Sequence, residues 1–198
     1  MKRTLIAQLA LLALPLAACS SFNVEAEQPL ACLTLQPESI TIGGGTAPIV
    51  GPIVQTWPEQ ERAIPLGDAI PSFILDGPPQ DRVIHLVSFG IEATSGVTNL
   101  NWLQDFSVSV STDGGTPVQL VTCQGCVPAG ATGMNVPASN GDFNLADFID
   151  ASGNLTLSFG GTVNVPAGAT VPNTFGGKVS VCISAKVKKT FDEMINGN

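Results

Sequence analysis

The sequence has one histidine, no tyrosine and few charged residues. A single imidazole excludes every site that needs two, such as a His-x-x-x-His zinc site or a histidine pair that relays protons. Charged residues make up 12% of the chain, about half of the roughly 25% in an average soluble domain. Eight basic residues are outnumbered by sixteen acidic ones, for a net charge of −8. This balance argues against DNA or RNA as a partner, because phosphate binding needs a basic surface.

Apolar residues are plentiful enough to bury a core. Hydrophobic residues make up 44% of the chain, and nine of them are Phe. Gly and Pro together amount to roughly 18% of the residues, below the share at which aperiodic chains are usually disordered. A folded domain is therefore expected over most of the chain.

The first residues have the composition of a secretory signal peptide. Lys2 and Arg3 give a positive start, and the stretch 5–16 is almost entirely apolar. Small residues follow directly, and the polar stretch from Ser20 ends the apolar run before the roughly 20 residues that a membrane-spanning helix needs. We therefore expect residues 1–18 to be removed on export.

Leu16-Ala17-Ala18-Cys19 closes this segment, and the motif resembles the lipobox of bacterial lipoproteins. The resemblance covers only residues 1–21 and implies that Cys19 becomes the acylated first residue of the mature protein. Ser20, in place of an Asp, resembles the outer-membrane sorting pattern of enteric bacteria. Because several acyl chains anchor a protein stably, the resemblance implies a location in the bacterial cell envelope, with the membrane as partner through the chains on Cys19. The alternative is an ordinary secretory signal with an incidental Cys.

The four other cysteines are an even number, as expected for two disulfide bonds in an exported chain. They are Cys32, Cys123, Cys126 and Cys182, and three pairings are possible. The alternation of apolar and polar residues places Cys32, Cys123 and Cys182 on polar strand faces. This favours Cys32–Cys182 and Cys123–Cys126, with the other two pairings open. Cys123 and Cys126 also have the spacing of a redox Cys-x-x-Cys motif. They follow a strand pattern, however, and no helix is predicted after them, which favours a structural disulfide bond.

Most of the remaining chain alternates apolar and polar residues with the period of β-strands. Strands are predicted in six segments, which are 31–43, 81–94, 106–111, 118–123, 155–165 and 178–188. Seven prolines between Thr46 and Asp81 place that stretch at sheet edges or in loops. Segments 99–105 and 144–150 each begin with Asn at a possible N-cap position and predict short helical turns.

Many short strands with little helix predict a single all-β domain. The expected architecture is an antiparallel β-sandwich of immunoglobulin-like or jelly-roll type with one or two short helical turns. We assign residues 19–30 to the lipid anchor and a tether, 31–189 to the sandwich, and 190–198 to a C-terminal tail.

His85 is the only possible imidazole base. The strand pattern places it on one face with Val83, Val87 and Phe89, as expected for a partly buried histidine satisfied by one hydrogen bond. No Gly-x-Ser-x-Gly elbow is present. The sequence therefore predicts no catalytic residue and no cofactor.

Two groups of residues are candidates for ligand binding. Asp142, Asp147 and Asp150 surround a predicted helical turn and suggest a calcium site, but their spacing is not that of an EF-hand, and helix capping explains them as well. Trp57, in the proline-rich stretch, is the better candidate for an exposed ring that stacks on a sugar, whereas Trp102 is expected in the core. The absence of Tyr argues against an aromatic sugar platform.

Basic residues are absent from Val83 to Gly177, which disfavours enzymes that act on phosphorylated or carboxylated substrates. Lys186, Lys188 and Lys189 are interpreted as solvated residues on a strand edge.

These observations predict a lipid-anchored envelope protein, in the outer membrane, with a non-catalytic β-sandwich. The sandwich is expected to act as a structural or protein-interaction module with a protein partner in the envelope. The alternative is a glycan- or calcium-binding envelope module.

Overall fold

A computed structural model of the protein describes residues 23–76, 79–111 and 115–190. The predicted signal peptide, Cys19 and residues 191–198 of the predicted tail lie outside the described residues.

Within these residues the chain forms eleven strands joined by loops and short helical turns. The strands are β1 (Asn23–Thr34), β2 (Glu38–Thr41), β3 (Ile49–Val50), β4 (Ile53–Pro65), β5 (Arg82–Ser95), β6 (Leu103–Val110), β7 (Val118–Gln124), β8 (Gly133–Pro137), β9 (Asn154–Val165), β10 (Thr170–Val171) and β11 (Thr174–Thr190). The helical segments are α1 (Ser72–Leu75) and three 3₁₀ turns, Leu66–Asp68, Pro79–Asp81 and Ala146–Phe148.

The strands form two antiparallel sheets and a small ribbon. Sheet 1 has the order β1-β11-β5-β8, with β2 beside the first part of β11, and sheet 2 has the order β4-β9-β6-β7. Strands β3 and β10 pair with each other. When the eight main strands of the two sheets are numbered along the chain, sheet 1 reads 1-8-3-6 and sheet 2 reads 2-7-4-5. This is the strand order of a jelly roll, so the topology decides between the two sandwich types expected from the sequence.

The two sheets pack face to face around an aromatic cluster. Phe89 of sheet 1 contacts Phe106 and Phe159 of sheet 2, with both pairs of ring centroids 5.5 Å apart. Trp57 packs on the same two rings at 6.0 and 5.9 Å. All four side chains are at most 2% exposed, so the cluster forms the centre of the core.

Both disulfide bonds favoured by the strand pattern are present. Cys32 of β1 lies directly opposite Cys182 of β11 and is bonded to it, and Cys123 is bonded to Cys126 at the end of β7. The prediction that Cys123 lies on a polar strand face is wrong, however. It pairs in register with Phe106 and is half-buried against the core, because an irregularity between Val108 and Ser109 shifts the register of β7, and a one-residue shift exchanges the faces of a strand.

The predicted boundary between tether and sandwich at residue 30 is wrong, because β1 begins at Asn23. Residues 23–28 pair with β11 and belong to the sandwich. Glu25 and Glu27 are exposed on this strand, opposite Lys188 and Lys186. A strand with one solvated face carries polar residues at every second position, which explains why the segment resembled a tether.

Two further expectations differ from the structure. Strand β11 lies between β1 and β5, so Lys186 and Lys188, which are exposed, are on the outer face of an internal strand and not on a sheet edge. Segment 99–105 contains a turn at Asn101-Trp102 followed by β6, whereas 144–150 contains the predicted helical turn at Ala146–Phe148.

Gly161 of β9 is required by the close approach of β6. Strand β6 is irregular between Leu103 and Asp105, and a Cβ atom at position 161 would lie 2.9 Å from the carbonyl carbon of Asp105. We expect Gly161→Ala to lower the free energy of unfolding by about 1–3 kcal/mol, the usual cost of overpacking. Gly44→Ala is the matched control, because nothing lies within 4 Å of its added methyl group. Urea denaturation measures both, and equal stability of the two variants would contradict this account.

Candidate functional site

The tryptophan expected to be exposed is buried. Trp57 is 1% exposed and lies in the aromatic cluster, so the predicted sugar-stacking role of this residue is wrong. Trp102 is in the core as expected, at 6% exposure, and its Nε1 donates to the carbonyl oxygen of Asn99 at 2.9 Å. The proline-rich composition around Trp57 belongs to a sheet-edge strand whose inward side still faces the core.

His85 is half-buried on the outer face of sheet 1. Its Nδ1 lies 3.1 Å from the carbonyl oxygen of Phe143, and this is the one hydrogen bond that the ring forms with the described residues. The expected sharing of a face with Phe89 is wrong, because a register shift of β5 opposite Cys182 and Ile183 turns Phe89 into the core. His85 therefore has the contact of a structural histidine.

The three aspartates of the proposed calcium site are all exposed. Asp150 caps its own loop, because its Oδ1 accepts from the backbone N–H groups of Ser152 at 2.8 Å and Asn154 at 2.9 Å. The hydrogen bonds from Asn154 and Ser152 lower the pKa of Asp150. Within the described ranges, no three His, Cys, Asp or Glu side chains are grouped as a metal site requires.

An open groove of about 460 Å³ lies on the outer face of sheet 2. Gly160 and Gly161 lie within it, between the irregular parts of β4 and β6. Ser109 donates to the carboxylate of Glu59 beside it, at 3.4 Å. The two glycines have no side chains to fill the space beside these irregular strand segments. The groove is therefore explained by the irregular pairing of the sheet.

The two ends of the sandwich differ in their content of charged residues. Four segments at one end contain no charged residue, and we call them together the uncharged end: 42–54, 96–103, 125–133 and 165–174. The loops at the other end, which we call the charged end, are acidic. They contain Asp68, Asp76, Asp81, Asp142, Asp147 and Asp150.

Backbone hydrogen bonds join the segments of the uncharged end. Leu100 N–H donates to Ala131 O at 2.8 Å, and Gly51 N–H donates to Ala169 O at 3.0 Å. The side chain of Asn101 accepts from Gly130 N–H at 2.8 Å. These bonds join 96–103 to 125–133 and 42–54 to 165–174, and the bond from Asn164 N–H to Trp102 O at 2.7 Å holds the end of β9 beside the first of these pairs.

A cleft of about 420 Å³ opens between two of these segments, 96–102 and 166–172. We call it the loop cleft. Its lining consists of Gly96, Val97, Thr98, Asn99, Asn101, Trp102, Pro166, Ala169, Thr170, Val171 and Pro172. Sequence reasoning did not identify this site. The absence of charge in four separate segments was visible in the sequence, but their meeting at one end depends on the strand order.

Comparisons with known proteins yield structural likenesses alone. No family model matches the chain, and no curated protein matches it. The 60-mer BFDV capsid protein is 11% identical, with a TM-score of 0.40, over 86% of this chain and 96% of that one. The family 32 CBM from C. perfringens NanJ, solved in complex with galactose, is 9% identical, with a TM-score of 0.31, over 80% of this chain and 99% of that one.

These scores and identities are low, so the class of the protein rests on its own strand order. The described domain is an antiparallel jelly-roll β-sandwich stapled by two disulfide bonds. In the part of the chain that the structure describes, no helix has the length and apolar character needed to span a bilayer.

Proposed function

We propose that the protein is a lipid-anchored, non-catalytic binding module of the bacterial cell envelope, which binds an uncharged partner through its uncharged end. The observation that carries this proposal is the position of β1. Three residues separate Cys19 from Asn23, and an extended chain covers at most about 3.6 Å per residue. An acylated Cys19 would therefore hold the start of β1 within about 15 Å of the membrane.

The start of β1 lies at the charged end of the sandwich, which supports a defined orientation of the domain on the membrane. Near the start of β1, Ala26 lies opposite Val187, which lies opposite Arg82 at the start of β5. Arg82 donates to the carbonyl oxygens of Leu75 and Ala146 in the loops of the charged end. A short anchor at this end would direct the uncharged end away from the membrane, where a partner can reach it.

Replacement of Cys19 tests the anchor. In Cys19→Ala we expect incorporation of labelled palmitate to be lost and the membrane-bound fraction to fall roughly tenfold or more, because each buried CH₂ contributes about 0.8 kcal/mol to membrane binding. Ser20→Ala is the control and should stay acylated. Fractionation of cells with detergent-phase partitioning measures both. Retained label in Cys19→Ala would refute lipidation at this residue.

Crosslinking in the same cells tests the binding surface. A photo-crosslinking residue at Val50, which is 65% exposed at the uncharged end, should form adducts with an envelope component. The same residue at Asp147, exposed at the charged end, is the matched control. Adducts from Asp147 alone, or from neither position, would contradict the proposed surface.

A further inference from the structure

We infer that the loop cleft binds a neutral carbohydrate, one or two units of an uncharged oligosaccharide. This inference rests on the proposed binding role of the uncharged end and names the chemical class of its ligand. The cleft volume of about 420 Å³ lies in the common range for small-ligand sites, about 300–1,000 Å³.

The absence of charged residues in the lining selects against ionic ligands. None of the residues that line the cleft is charged. A phosphate, carboxylate or ammonium group would lose water on entering and find no opposite charge, which disfavours its binding. Hydroxyl and amide groups lose much less, and the lining can replace their hydrogen bonds.

The polar groups of the cleft match sugar hydroxyls, which both donate and accept. Thr98, Asn101 and Thr170 are exposed at the cleft. Thr98 Oγ1 accepts from the Asn99 side chain at 3.4 Å, which leaves its O–H free to donate. Asn101 Oδ1 accepts from Gly130 N–H, and the Asn101 side-chain N–H₂ has no partner among the described residues, so it can donate to a ligand.

The apolar lining suits the C–H faces of a sugar ring. Trp102 forms the buried part of the lining, and its indole is held by the hydrogen bond to Asn99 and by edge-on packing against Phe175, with ring centroids 5.7 Å apart. Pro166 and Pro172 line the opposite wall. An apolar floor with a few placed polar groups is the usual composition of a small-ligand site.

The backbone of the cleft walls disfavours an extended peptide. The N–H groups of Leu100 and Ala169 are bonded within the fold, and that of Asn101 donates to the Asn99 side chain. Prolines 166 and 172 have no N–H group. A peptide that binds by strand addition needs a row of free backbone donors and acceptors, whereas a sugar needs the side-chain groups that remain.

Fluorescence titration of the purified full chain in detergent tests the inference, because Trp102 lines the cleft and the other tryptophan, Trp57, lies in the core. Methyl glycosides of neutral hexoses and N-acetylhexosamines form the probe panel, with glucuronic acid as the charged control. We expect a saturable change in emission with a neutral glycoside and none with glucuronic acid. Saturation by glucuronic acid, or no saturation by any neutral glycoside, would overturn the inference.

Three variants locate the binding. Thr98→Val and Thr170→Val each remove a cleft hydroxyl at nearly constant shape and should each raise Kd roughly three- to tenfold, the usual effect of one lost hydrogen bond. Thr156→Val makes the same change at an exposed position on β9 outside the cleft and should bind like the wild type. Unchanged affinity in both cleft variants would place the sugar elsewhere. The titration is independent of acylation at Cys19 and of crosslinking at Val50, so its failure leaves those two results to judge the proposed function.

Discussion

Removal of the Cys32–Cys182 bond is expected to destabilise the protein far more than removal of Cys123–Cys126. The first bond joins residues 150 positions apart, and the second joins residues three positions apart. In the chain-entropy account a disulfide stabilises by restricting the unfolded chain, and the effect grows with the logarithm of the loop length. The expected losses in the free energy of unfolding are about 5 kcal/mol for the long loop and about 2 kcal/mol for the short one.

Two double variants make this comparison, and each serves as the control for the other. Cys32→Ala with Cys182→Ala opens the long loop, and Cys123→Ala with Cys126→Ala opens the short one. Urea denaturation of both, beside the wild type, gives the losses. Equal losses would show that local contacts of the bonds, and not the length of the closed loop, determine their contribution.

Truncation of Trp57 is expected to lower the free energy of unfolding by about 3–5 kcal/mol, as for other large aromatic side chains in a core. The ring is 1% exposed and packs against Phe106 and Phe159, so Trp57→Ala would leave a cavity between the sheets. The indole Nε1 is buried with no hydrogen-bond partner among the described residues.

Trp57→Phe is the informative control. It keeps an aromatic ring in the cluster and removes the unpartnered N–H group, whose burial costs about 1–3 kcal/mol. We therefore expect Trp57→Phe to lose much less stability than Trp57→Ala. Thermal and urea denaturation check both. A small loss in Trp57→Ala would mean that the ring is not part of the core and would reopen its role in sugar stacking.

Patterns that extend over a whole strand were predicted well. The predicted strand segments 81–94, 106–111 and 118–123 reappear as β5, β6 and β7. The reason is that a strand with one solvated face has an apolar residue at every second position, and a strand covered on both faces is apolar throughout. The same alternation placed Cys32 and Cys182 on strands that could face each other, as they do.

The errors concern single residues near irregular pairing. Cys123 and Phe89 both lie beyond register shifts, at which the faces of a strand are exchanged. Such a shift depends on the partner strand, so periodicity within one strand does not reveal it. Trp57 was misjudged for a related reason: the prolines around it indicated a sheet edge, and that was right, but an edge strand of a sandwich still has an inward face.

The loop cleft, too, has residues that are visible in the sequence and an arrangement that depends on the fold. The sequence contains uncharged segments, and it contains Thr98, Asn101 and Thr170 within them, but no spacing rule connects residues that far apart. The jelly-roll order brings segments 96–102 and 166–172 together, because β6 and β9 are neighbours in sheet 2. Their cleft is therefore a product of topology.

The sequence by itself determined the all-β class, the strand segments, the acidic and charge-poor character and the favoured disulfide pairs, because each depends on composition or on a short-range period. It also predicts the lipid anchor at Cys19, through a local motif. Only the tertiary structure decided the jelly-roll order, the burial of Trp57, the start of β1 at Asn23, and the separation of a charged end from an uncharged one. These features depend on which distant strands pair and in what register, and that choice is made by the packing of two whole sheets against each other.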